Sequence, residues 1–299
     1  MSLVNISLIL ISCLFHAYWN ILTRSSADSR FFSALKGSWI ILMASVFFLI
    51  FGVEGYSAEL WGWAILSGVL HGLYIFCLSR AYHTEDISYV YPIARSAPVF
   101  VPVGAFFLLG ERLSVFEWIA VLMIVVAIYV LHFDGHLIKG AVNLWNAMRH
   151  QHLRWAYFTL IMVVSYSLVD KKGMDHFLQL FPEDGLRNGV AFFFLESLVC
   201  FALYNSYLFL SFNRSDILQV WKGEWRKGIL GGIATLGSYG VICIVLQFED
   251  VSAVVSLRQI SVFLVIYWGC WINNEGFGAK RMLAGALIFI GVALMSLEH

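Results

Sequence analysis

The 299-residue chain is short of charge: 19 Lys and Arg with 19 Asp and Glu make only 13% of it, while 60% is hydrophobic. Soluble domains carry about 25% charged residues. A globule of this size cannot hide so much apolar surface from water, which excludes a soluble enzyme, and a disordered chain is excluded by the same composition. The formal net charge is zero, so the basic footprint of a nucleic-acid partner is missing. Cysteine is sparse, and Cys13, Cys77, Cys200, Cys243 and Cys270 lie scattered in apolar stretches without a C-x-x-C spacing. That excludes a disulfide scaffold and gives no zinc or redox signature, so no metal and no cofactor is expected. Of only four prolines, Pro92, Pro98 and Pro102 fall in one apolar run.

What the chain has is apolar runs of spanning length. They occur at about 3–23, 32–53, 60–82, 87–109, 114–133, 153–172, 188–212, 227–248, 251–273 and 280–297, each near the ~20 residues a bilayer crossing needs. The first lacks a basic leader and a cleavage site, so it reads as a retained span. The run at 153–172 is the least apolar, and the longest connector precedes it. The expected fold is therefore an all-α integral membrane protein of ten transmembrane helices, with five-helix units at 1–134 and 153–299 joined by a linker at 135–152.

The two units read as repeats. A shift of 164 positions lays Glu85, Asp86, Ile87 and Ser88 on Glu249, Asp250, Val251 and Ser252, and Glu111 on Glu275, without a gap. Five helices per unit is an odd number, so the second copy enters the membrane from the opposite side. Inverted repeats are the architecture of secondary transporters, with the site near the midplane between them. Connector Lys and Arg crowd one side, which under the positive-inside rule places both termini outside.

Several segments resemble the EamA-like proteins of the drug/metabolite transporter superfamily. Ser96-Ala97-Pro98-Val99-Phe100 followed by Leu109-Gly110-Glu111-Arg112-Leu113 resembles the family's fourth helix and its closing motif. Gly285-Ala286-Leu287-Ile288-Phe289-Ile290-Gly291-Val292 is similar to its last helix, and His16-Ala17-Tyr18-Trp19-Asn20 and Tyr166-Ser167-Leu168-Val169-Asp170 resemble a subgroup's first and sixth. The second unit departs in having Val262 where the first has Pro98. The resemblance implies a transporter of amino acids, amines or related metabolites, with termini in the cytoplasm, against the loop charges.

Ionisable groups in a span are costly and by default face a cavity or a partner. Counting residues from the helix starts puts Glu196 and Arg258 about eight deep from one face, where they can pair, with Asp170 nearer that surface. Arg95 lies at similar depth from the other face, beside His16, Trp19 and Asn20. His71, Tyr74 and Tyr239 fall near the midplane. Tyr91 with Arg95, and Tyr166 with Asp170, share helix faces at i,i+4. These twelve residues are the candidate substrate site; no catalytic set is expected. Each also has a bland reading: an ion-pair lock for Arg258 and Glu196, a helix-to-helix hydrogen bond for each His, simple packing for Trp19. Lys36 and Arg187, near span starts, read as snorkelling to headgroups, and Glu111 as part of a tight connector.

The pattern points to a secondary transporter of a small polar metabolite working by alternating access. Arginines suit an oxyanion and acids with aromatics suit an amine, so a zwitterion fits both; protons are the candidate coupling ion. An aminophosphonate or choline-like substrate is the alternative within the class, and a membrane enzyme or receptor-like protein the alternative outside it. Partners are the substrate and the lipid of a plasma or bacterial inner membrane, for a monomer or homodimer.

Overall fold

The computed structural model describes residues 1–84, 93–132, 153–264 and 279–296, with 136, 139, 142 and 267. Among these, every regular element is helical. The helices are α1 (Leu3–Arg24), α2 (Ser29–Phe51), α3 (Ala58–Thr84), α4 (Ala97–Leu109), α5 (Val115–His132), α6 (Arg154–Leu180), α7 (Gly185–Ser211), α8 (Arg214–Leu246), α9 (Val251–Leu264) and α10 (Ala279–Ser296). Helices α1, α2, α3, α7 and α8 are long and apolar enough to cross a membrane; α4, α5, α9 and α10 are apolar with shorter described lengths. The linker and Tyr91 lie largely or wholly outside the described residues, as does Cys270. The other four cysteines are free and buried, packing as small hydrophobes.

Local chemistry explains the helix ends. Asp28 accepts from the amides of Arg30 and Phe31 at the start of α2, and Ser114 and Glu117 form a reciprocal capping box at the start of α5, at 2.8 and 3.1 Å. Gly110 turns the chain after α4 at φ +76°, where a side chain would be strained. The next residue, Glu111, does more than complete the connector. Its carboxylate accepts from the Val251 and Ser252 amides at 2.8 and 3.2 Å and from the Ser252 hydroxyl at 2.6 Å. It thus caps α9 and ties the turn after α4 to the start of α9.

Packing pairs follow a simple exchange. Helix α3 packs on α6 and α7, and α8 packs on α1 and α2, the pairs obtained by replacing each helix with the one five places along. The contacts of α2 with α7, α4 with α9 and α5 with α10 map onto themselves under the same rule.

Three helices are irregular where polar residues cluster. Helix α4 begins only after an interruption at Arg95 and Ser96, where bonds shorten to i→i+3 (Ser96 N to Ile93 O, Val99 N to Ser96 O). Pro98, as its second residue, removes an amide there. Helix α9 tightens the same way from Arg258 to Val262, without a proline. Helix α8 widens into a π turn at Leu236–Gly240, a feature frequent at functional sites. The Ser12 hydroxyl donates to the Ser238 carbonyl in that turn at 2.7 Å.

Candidate functional site

Ser67 of α3 is the centre of one buried polar cluster. Its hydroxyl lies within hydrogen-bond reach of Asp170 on α6 and, at 2.7 Å, of Glu196 on α7. The approach depends on Gly68, because a Cβ there would stand 2.5 Å from the Glu196 carbonyl oxygen. Small residues let membrane helices close to this distance. Its single hydroxyl proton can serve only one of the two carboxyls at a time. The Tyr239 hydroxyl, from the π turn, donates to the second Asp170 oxygen.

His71, one turn beyond Ser67, completes this end. Its Nδ1 lies 3.1 Å from the Ser67 carbonyl, an acceptor only, so Nδ1 carries the hydrogen and Nε2 the lone pair. Nδ1 is 3.5 Å from Glu196, and Nε2 is 4.0 Å from Asp170 with no hydrogen bond among the described residues. The ring stacks on Tyr166 at 3.9 Å, and Tyr74 meets Tyr166 edge-on at 5.6 Å. Donor atoms of His71, Asp170 and Glu196 lie within 4.8 Å of one another, so this end can hold a proton, a substrate ammonium or a small cation.

The other end is cationic. The Lys36 ammonium sits 3.8 Å from the centre of the Trp19 ring, and the His16 ring meets that of Trp19 edge-on at 5.0 Å. Ser238 approaches His16 Nδ1 at 3.4 Å, while His16 Nε2 makes no hydrogen bond among the described residues. The charges of Arg95, Arg258 and Lys36 all reach His16. Arg258 lies over the Tyr239 ring at 4.8 Å, and so joins the two ends through the phenol that holds Asp170.

Several expectations need correcting. Glu196 and Arg258 do not form an ion pair among the described residues; Glu196 is held by Ser67 and His71 instead. Asp170 is not near the surface. Helix α6 continues to Leu180, which puts Asp170 about 15 Å from that end at 1.5 Å per residue. Lys36 does not snorkel: it is 6% exposed and the eighth residue of α2. Arg187, by contrast, is at the surface and donates to the Phe51 carbonyl at 2.7 Å. The Asn20 amide turns back to the His16 carbonyl at 2.7 Å, a bond within α1. Arg95 is half-buried at the α4 interruption. Ser67 is a site residue that the sequence did not single out, and Lys36 was read there only as a headgroup-facing residue.

Comparison with known proteins sharpens this picture. The model of the EamA-like transporter family matches residues 3–133. The resemblance is real for the first unit. An EamA-like match together with the long apolar helices makes the chain a multi-pass membrane protein of transporter type. No curated protein matches it. A crystal structure described only as that of a protein is similar over 100% of this chain and 98% of its own, with TM-score 0.75 and 17% identity. At that identity the likeness concerns the fold alone.

Proposed function

We propose that the chain is a secondary transporter of a small zwitterionic metabolite, an amino acid or related amine, moved by alternating access between two inverted five-helix units. The observation that carries this reading is the pair of opposed polar ends, acidic at Asp170 and Glu196 and cationic at Lys36 and Arg258, buried deep in apolar helices. Such groups are costly in a membrane unless they serve a ligand or one another. The exchange of packing pairs between units supports the repeat, and the breaks in α4 and α9 supply the discontinuous helices typical of transporter midplane sites.

The substrate ammonium goes to the Ser67 cluster, where His71, Tyr166 and Tyr239 present aromatic faces beside the acids. The same faces favour a choline-like quaternary ammonium as the second reading. A proton taken up by Asp170 or Glu196 is the candidate coupling ion. Counterflow in proteoliposomes tests the proposal: preloaded unlabelled substrate accelerates entry of labelled amino acid or amine, and a pH gradient changes the rate. Exchange of none of these compounds defeats the reading; exchange indifferent to the gradient defeats the coupling alone.

A further inference from the structure

The mechanism above uses Lys36 only as part of a positive surroundings, yet its position is more specific. It is a buried ammonium on α2 that lies over the face of the Trp19 indole, with its aliphatic stem against α8. Neither Lys36 nor Arg258 has an ion-pair partner among the described residues. The acids that could neutralise them are already engaged with Ser67, His71 and Tyr239.

We infer that Lys36, seated on Trp19, is an oxyanion subsite that receives the acidic head of the substrate. The inference rests on the transport reading and deepens it by naming the residue and the charge class. A buried cation without a carboxylate is stabilised by a bound anion, and the carboxylate of a zwitterion supplies one. Trp19 holds the ammonium by its π face, which leaves the N–H donors free for the ligand's oxygens. The unpartnered His16 Nε2 lies on the same side.

The test uses the full chain in detergent at fixed ionic strength, with inorganic phosphate, acetate and choline as probes, read as thermal shifts and by titration calorimetry. Phosphate and acetate should both stabilise the protein, phosphate more strongly. Lys36→Met should weaken both at least tenfold, Lys36→Arg should keep them within about threefold by retaining the charge, and choline should shift all three proteins alike. The choline shift also certifies that each variant is folded; if Lys36→Met fails it, Lys36→Gln replaces it. Anion binding unchanged in the folded neutral variant overturns the subsite, as does wild-type protein that responds to choline but to neither anion. A wild-type protein that responds to none of the three likewise overturns the subsite, while the transport reading stands or falls on the counterflow test.

Discussion

Two pairs of helices, α1 with α2 and α6 with α7, bring opposite chemistry to the buried interior. Helices α1 and α2 contribute His16, Trp19 and Lys36, whereas α6 and α7 contribute Tyr166, Asp170 and Glu196. The carboxyls of the acidic end are hydrogen-bonded, by a serine and a tyrosine, with His71 Nδ1 3.5 Å from Glu196. The cationic end differs, since Lys36 has an aromatic face and no carboxylate among the described residues. Burial alone therefore does not mark a binding residue; what separates structural from ligand-seeking groups is whether their partners are already present.

The largest effect expected on stability is at the satisfied end. Asp170→Ala leaves the Ser67 and Tyr239 hydroxyls without their shared acceptor, and losing two buried partners costs about 2–4 kcal/mol. Thermal unfolding in detergent reads this directly, and an unchanged transition would show that the acidic end is no more self-contained than the cationic one. Next comes Gly68→Val, whose Cβ must push against the Glu196 carbonyl at 2.5 Å. Forcing two packed helices apart costs about 1–3 kcal/mol. Because the strain parts α3 from α7, choline binding should weaken while anion binding persists.

How much of this was legible follows from which signals are local. Hydropathy located the helices because a run of apolar residues needs no neighbour to be read, and Ser114 with Glu117 announced its own cap. The extension of α6 was hidden by Lys171, Lys172 and Asp175, which end the apolar run without ending the helix. Lys171 instead finds Asp175 one turn on and the Leu246 carbonyl at 2.9 Å. That extension decides the depth of Asp170. Ser67 was invisible because serine is common in spans, and its role appears only when Gly68 brings α7 against it. The π turn that aims Tyr239 has no proline to betray it, and Glu111 looked like a turn residue because the first of its donors, the Val251 amide, lies 140 positions away.

A control outside both ends is Asp28, at the entry to α2. Burial works against its ionised form, but hydrogen bonds from the Arg30 side chain and the Arg30 and Phe31 amides outweigh it, so its pKa is lowered. The depressed value means the contribution is present above the ordinary carboxylate range and is lost as pH falls through the lower folded-state value. Asp28→Ala should cost about 1 kcal/mol as a lost helix cap. The difference from wild type should shrink in acid, and neither probe's affinity should move; a change in anion binding would extend the cationic site to the mouth of α2.

The smallest stability effect is expected where the largest binding effect lies. Replacing an unpaired buried ion by an apolar side chain of similar volume is neutral or stabilising in many proteins, because the desolvation cost disappears with the charge. Lys36→Met should therefore unfold within about 1 kcal/mol of the wild type, or above it, although it removes a group packed between α1, α2 and α8. Chemical denaturation of the two proteins without ligand measures this. If the variant is instead destabilised as much as Asp170→Ala, the ammonium is held by contacts as complete as those of the acids. The asymmetry between the two ends would then be one of charge sign, with both serving to lock the helices together.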